Sequence, residues 1–310
     1  MTHRAQVHCS VQVGSVQLPN PIMVASGTAG HSTELSAYLD LAKLGAFVVK
    51  SLSAEPWAGN PSPRLSPVGT SMINSIGLQG PGVTAWLNTG YQALRGKGVE
   101  RIVVSIWGRT VEEYAAAAAL LADAPPEVIA VEVNLSCPNL DGGAHLFAHD
   151  PDLSAAVITA CSVANRPLWA KLSPNTHLIP QVADAVASAG AEAVTLTNTL
   201  LGLAIDCSTR KPTLAMGGGG LSGPGIHPVA LRAVYDCRRA HPNLPIIGVG
   251  GIGNGEQAVE FLLAGAHACQ VGTATFADPR APLRVLEELQ RWCDTNGVND
   301  VRELIGESHG

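Results

Sequence analysis

Aromatic residues are scarce in this 310-residue sequence: Phe, Tyr and Trp together make up 4% of it. Ala, Gly, Val and Leu must therefore fill the interior, a composition suited to small helices packed closely on a parallel sheet of branched residues. Charge is scarce as well, at 14%, and the net value of −6 is scattered along the chain. No basic stripe and no acidic tail occur, which argues against a nucleic-acid partner. No Cys-x-x-Cys pair occurs among the seven cysteines, Cys9, Cys137, Cys161, Cys207, Cys237, Cys269 and Cys293. The odd count and the spacing argue against a disulfide framework and against a zinc or iron–sulfur site within the chain. No apolar run reaches the roughly 18 residues of a membrane span. The opening "MTHRAQVHCS" has no apolar core, so it does not read as a signal peptide. A soluble protein of the reducing cytoplasm is expected.

Apolar residues, in contrast, are plentiful at 46%. Eight short apolar runs punctuate the chain, each bounded by Gly, Pro or polar residues. They are "PIMVAS", "AFVVKSLS", "RIVVSIWG", "VIAVEVNLS", "PLWAKLS", "AVTLTNT", "PIIGVGG" and "ACQVGTA". Runs of this kind are what strands buried on both faces require. Between them lie helical segments over 33–45, 110–124, 150–165, 177–190, 227–242 and 255–266, and a last one over 281–297. Several open on Thr or Asp and close on Gly or Asn, the residues that cap helix ends. Alternating strand and helix signals predict an α/β protein, a (β/α)₈ barrel; an open doubly wound sheet is the competing arrangement. The alternation in "VHCSVQVGSVQLPN" predicts an N-terminal β-hairpin that floors or caps the barrel. No linker breaks the composition, so residues 1–310 read as one domain.

In such a barrel the chemistry gathers at the C-terminal ends of the strands. Those ends are polar here. Glycines follow strands seven and eight in "GVGGIGNG" and "QVGTATF". Glycine lets backbone N–H groups approach a phosphate, although it also serves plain tight turns. Lys50 and Lys171 stand among apolar neighbours, and lysine is rarely buried without a partner. Both are expected to face one anionic ligand. Asn74, Asn134, Asn139 and Asn198 add carboxamides able to orient a planar, amide-rich ligand, or simply to close turns. Cys137 sits at a strand end, between Ser136 and Pro138 and before a Gly-rich loop. That context fits a nucleophile or a general base.

With "GNPSPR", "NSIGLQGPG", "NLSCPN", "KLSPN", "TNTLLG", "GGLSGPGIHPVAL", "GVGGI" and "VGTATFADP" in this order, the sequence resembles the class 1 dihydroorotate dehydrogenases. It looks most like the catalytic subunit of their class 1B, NAD-linked type. The resemblance runs from about Val11 to the last helix. It implies an FMN site made by Ser26, Lys50, Ser51, Asn134, Lys171, Thr197, Gly223, Gly250, Gly251, Gly272 and Thr273. It implies a pyrimidine site made by Lys50, Asn74, Ser75, Ile76, Gly77, Leu78, Asn134, Asn139, Asn198 and Thr199. Cys137 would be the base that takes the C5 proton of dihydroorotate while hydride leaves C6. A homodimeric core would hand electrons to a partner subunit carrying FAD and an iron–sulfur cluster, and then to NAD⁺. One position departs from the family's pattern. Its Asn-Val-Ala-Gly after strand three, whose Asn contacts FMN, is "SIWG" here, with Ser105 in the Asn position and Trp107 in the Ala position. Alternatives are a flavin oxidoreductase acting on another dihydropyrimidine, a non-catalytic flavin-binding paralogue, and a barrel lyase or isomerase that uses the phosphate site for its substrate.

Overall fold

Short runs of branched residues pair in sequence order into a closed parallel barrel. Its strands are β1 (Ile22–Val24), β2 (Phe47–Leu52), β3 (Ile102–Ile106), β4 (Val128–Asn134), β5 (Leu168–Lys171), β6 (Ala193–Leu196), β7 (Ile246–Val249) and β8 (Ala268–Val271). This computed structural model describes residues 7–136 and 147–310. The closing contact aligns Cys269, Gln270 and Val271 of β8 with Ile22, Met23 and Val24 of β1. Both faces of these strands are covered, so they need no polar alternation. The (β/α)₈ reading is therefore the observed fold, and the open sheet is ruled out by closure. None of the described helices is long and apolar enough to cross a membrane.

Before the barrel, Val11–Val13 and Val16–Leu18 form the expected hairpin, with Val11 opposite Leu18 and Val13 opposite Val16. Its Val and Leu side chains are buried while Gln12 and Gln17 face out. At the turn, the Ser15 N–H and hydroxyl both donate to Glu192 Oε2, at 2.7 and 2.6 Å. Glu192 immediately precedes β6, so the hairpin floors the end of the barrel away from the strand C-termini.

Helices follow the strands as α1 (Val83–Asn88) and α2 (Gly90–Gly96) after β2, then α3 (Val111–Ala119), α4 (Pro151–Cys161), α5 (Ile179–Ser188), α6 (His227–Ala240), α7 (Gly255–Leu263), α8 (Ala274–Ala277) and α9 (Ala281–Asn296). The cap residues act as their types require. Asp150 accepts from the N–H groups of Asp152 and Leu153, and Asn254 accepts from that of Gln257. Gly297 ends α9 in the left-handed region.

Two features differ from the sequence expectation. The 33–45 segment forms two short 3₁₀ turns, Glu34–Ala37 and Leu41–Lys43, instead of an α-helix. Asp40 stands between them in extended conformation and caps the second turn through Ala42 N, so the ladder cannot pass it. Leu35, Leu39, Leu41 and Leu44 still reach the core. The second difference is an accessory antiparallel sheet. It joins Leu200–Gly202, Gly219–Ser222, Ser71–Asn74 and Leu65–Val68 in that order. Its central pairing links residues almost 150 positions apart, Gly220 opposite Asn74.

One packing detail fixes an acid response. His267 precedes β8, and its Nδ1 accepts from Ile246 N at 3.2 Å. Burial, with Arg238 nearby, lowers its pKa from 6.5 to about 4. The folded state therefore binds this proton less readily than the unfolded chain does. Its contribution is whole above pH 6.5 and lost as pH falls towards 4. In chemical denaturation across that window, His267→Asn, which keeps an acceptor at the Nδ1 position, should show a flatter loss of stability than wild type.

Candidate active site

Strand registers bring one residue from nearly every strand to the same mouth. Asn134 at the end of β4 lies beside Lys171 at the end of β5, and Lys171 beside Thr195 on β6. A chain of hydrogen bonds crosses the mouth. Ser26 Oγ lies 3.2 Å from Ser51 Oγ, and Ser51 Oγ lies 2.9 Å from Ser105 Oγ. Asn134 Nδ2 donates to Ser51 at 3.4 Å, and Asn198 Nδ2 donates to Asn134 Oδ1 at 3.0 Å. Asn198 Oδ1 in turn accepts from Thr199 N. Expected site residues from the first four strands and from the end of β6 are thus parts of one network. Ser105 takes its place differently from the expected Asn: it is fully buried and, among the described residues, its hydroxyl reaches the mouth through Ser51. Trp107 is buried as well, edge-on to Trp57 with ring centroids 5.9 Å apart, and the Arg109 guanidinium lies 4.5 Å from the Trp57 ring centre. The space an Ala would leave is filled by this stack.

The glycines gather at a second corner. A Cβ built on Gly251 would lie 2.8 Å from the Gly223 carbonyl oxygen, and one on Gly223 would lie 3.4 Å from Thr273 Cγ2. Gly223, Gly251 and Thr273 therefore converge although they come from three different βα connections. Gly251 has φ +70°, which favours glycine. Gly250 is also packed closely, since a Cβ there would meet Ala230 of α6 at 2.4 Å. Gly272 lies against Ala25 after β1. Just past β6, the Thr197 hydroxyl is buried and has no partner among the described residues. A buried donor of this kind costs about 1–3 kcal/mol unless a ligand or water meets it.

The two lysines stand in different surroundings. Lys171 Nζ lies 3.6 Å from Glu132 Oε1, inside the barrel. Lys50 makes no ion pair among the described residues. Burial, and then the charge of Arg64, lower its pKa. Burial, and then the charge of Lys50, lower that of His31. Lys171 thus already has a counter-charge in Glu132, while Lys50 has none among the described residues.

Asn74 to Leu78 continue from the accessory sheet. Asn74 Nδ2 donates to the Gly220 carbonyl. Asn60 holds the next two residues, donating through Nδ2 to Ser75 Oγ and through its backbone N–H to the Ile76 carbonyl. Gly77 and Leu78 both have positive φ, at +73° and +59°. Cys137 and Asn139 lie outside the described residues. The segment leading to them is held: Ser136 N donates to Asn134 Oδ1 at 3.3 Å, and Tyr114 OH donates to the Asn134 carbonyl at 2.6 Å.

Sequence reasoning overlooked several positioning residues. Asn60 clamps the 74–78 loop. Asn175 donates to the Thr199 carbonyl and accepts from Leu201 N. Both lie in motifs, "GNPSPR" and "KLSPN", whose asparagines carried no expected role. Glu132 and Gln270 were missed too, although an acid inside "VIAVEVN" and an amide inside "ACQV" stand out against their neighbours.

A closed parallel barrel with a polar network, a glycine corner and, at its strand ends, a lysine without an ion pair among the described residues is the architecture of a barrel enzyme. Similarity to known proteins makes the class particular. A family model for dihydroorotate dehydrogenase matches residues 8–292. A protein of Trichlorobacter lovleyi named dihydroorotate dehydrogenase B (NAD(+)), catalytic subunit, is 47% identical over 302 residues, covering 97% of this chain and 98% of its own. Proteins of the same name from Alkaliphilus oremlandii and Geobacter metallireducens are each 46% identical, over 99% and 96% of this chain and 99% and 97% of theirs. The chain belongs to the dihydroorotate dehydrogenase family.

Proposed function

We propose that this chain oxidises dihydroorotate to orotate in pyrimidine biosynthesis, using FMN, and that it works as the catalytic subunit of an NAD-linked enzyme. The observation that supports this best is the convergence of Gly223, Gly251 and Thr273 at one corner and the Ser26–Ser51–Asn134–Asn198 network across the mouth. The Thr197 hydroxyl, without a partner among the described residues, and the glycine corner fit a bound phosphorylated flavin. Thr197, Ser26, Ser51, Asn134, Lys50 and Lys171 would hold its polar groups, with Gly223, Gly251, Gly272 and Thr273 around the phosphate. FMN when bound accepts the hydride that leaves C6 of the substrate. Cys137, as thiolate, takes the C5 proton and later releases it to water, so that a carbon–carbon double bond forms. Asn74, Asn139, Asn198 and Thr199 orient the amide edges of the ring, and Lys50 neutralises the carboxylate.

The relatives' printed name supports a separate electron-transfer subunit, for which we propose FAD and an iron–sulfur cluster. The exposed side chains of Leu201 in the accessory sheet and of Leu203 and Ile205 just beyond it support association with further chains, beginning with a homodimer. The free thiols of Cys9, Cys161, Cys207, Cys237, Cys269 and Cys293 support a reducing cytoplasmic setting.

The test uses the purified chain alone. It should be yellow, reduce an artificial dye with dihydroorotate, and fail to reduce NAD⁺ until the partner subunit is added. Rapid NAD⁺ reduction by the isolated chain would sink the two-subunit reading. A yellow protein inert to dihydroorotate but active on another dihydropyrimidine would move the substrate.

A further inference from the structure

Beneath the mouth, four strands contribute polar side chains where a barrel interior normally carries branched ones. Glu132 of β4 is fully buried and Lys171 of β5 is 6% exposed. Glu132 Oε1 lies 3.6 Å from Lys171 Nζ. Its other oxygen accepts from Gln270 Nε2 of β8 at 2.7 Å and from Thr195 Oγ1 of β6 at 3.3 Å. Gln270 also bridges back, its Oε1 accepting from Lys171 Nζ at 3.5 Å. The carboxylate thus has three partners on three other strands.

Stability alone does not account for this cluster. Replacing a buried ion pair by apolar residues of similar volume is often neutral or stabilising. The position of the cluster gives a better account. Glu132 lies two residues before Asn134 on the same strand, so both side chains point to the same face. Asn134 is the hinge of the mouth network and the register neighbour of Lys171. Lys171, with its register neighbour Thr195, therefore stands level with the mouth, and Glu132 is its counter-charge from one layer below.

We propose that Glu132 is a positioning residue that, with Gln270 and Thr195, fixes the Lys171 ammonium at the floor of the cofactor site and offsets its charge there, and so sets the reduction potential of the flavin. This rests on the FMN reading above. Reduction places negative charge on the flavin. A lysine without its counter-charge stabilises that charge more strongly, because the interaction occurs away from water. Glu132→Gln keeps the shape of the side chain and a carbonyl for Gln270 and Thr195, but removes the charge. Glu132→Asp keeps the charge and draws it back from Lys171 by one methylene.

The experiment is a reductive titration of the FMN-loaded full chain against reference dyes, for wild type and both variants, with FMN affinity measured on the same samples. Glu132→Gln should favour reduced over oxidised FMN by tenfold or more, which is about 30 mV upward for a two-electron couple. Glu132→Asp should move the same way by less. That graded order is one that loss of packing would not produce. Where Glu132→Gln does not fold, the upward shift in Glu132→Asp decides the matter. An unchanged or lowered potential in the folded variants overturns the proposal and leaves the FMN reading intact. A wild-type chain that does not hold FMN overturns both.

Discussion

Changing Cys137 to Ser should slow reduction of the bound flavin by dihydroorotate by roughly 10²–10⁴, the span that general-base catalysis supplies. The hydroxyl keeps the size of the thiol but ionises far less readily than a thiol of pKa about 8.5. Wild-type flavin reduction should accordingly rise with pH through one ionisation, because only the thiolate can accept the proton. The variant should lose that limb. Its FMN should stay bound, since the proposed phosphate contacts come from Gly223, Gly251, Gly272 and Thr273, on other connections. The chain leading to Cys137 is anchored independently of the thiol, by Asn134 Oδ1 on Ser136 N and by Tyr114 on the Asn134 carbonyl. Stopped-flow bleaching of the flavin absorbance across pH reads both effects. Bleaching at the wild-type rate with full flavin occupancy would remove Cys137 from its role.

Gly251→Ala should do the reverse: it should spare the base and empty the cofactor site. Two costs coincide at this position. Its φ of +70° suits glycine, and an L-residue there loses roughly 1–2 kcal/mol. The added methyl would also lie 2.7 Å from His227 Cβ and 2.8 Å from the Gly223 carbonyl oxygen, neither at the end of a flexible side chain. Relief requires α6 or the Gly223 turn to move away, which opens the corner proposed for the phosphate. Strain and lost contacts together should weaken FMN by on the order of 10²-fold, or about 2.8 kcal/mol at roughly 1.4 kcal/mol per decade. Fluorescence titration of FMN into the stripped protein measures this. Wild-type affinity in a folded Gly251→Ala protein would show that the phosphate binds elsewhere. Side by side, the two variants separate holding the cofactor from moving the proton.

The barrel was legible because its strands are buried on both faces, and such strands need continuous apolar runs that end where the chain must meet a ligand. The same logic made Asn134, Lys171 and the glycines visible at strand ends. What stayed hidden depends on partners distant in sequence. Lys171 reads as a cation awaiting an external anion until Glu132, 39 positions earlier, is seen across the strand pair. The strand Ser71–Asn74 is too short and too mixed to announce itself, and it is held between its hairpin partner Leu65–Val68 and the distant Gly219–Ser222. The 33–45 segment has helical spacing, but Asp40 finds a local hydrogen bond that the helix cannot match.

The accessory sheet also acts as a ruler. On one pair of strands, Asn74 stands opposite Gly220 and Met72 opposite Ser222. Asn74 begins the loop proposed for the pyrimidine, and Ser222 leads into Gly223, proposed for the phosphate. The gap between the two ends of the bound pair is thereby measured out in paired residues, through loops that belong to opposite sides of the barrel. A deletion of one residue between Ser71 and Asn74 would turn each side chain beyond it to the other face. Spacing, more than residue identity, is what this stretch must keep.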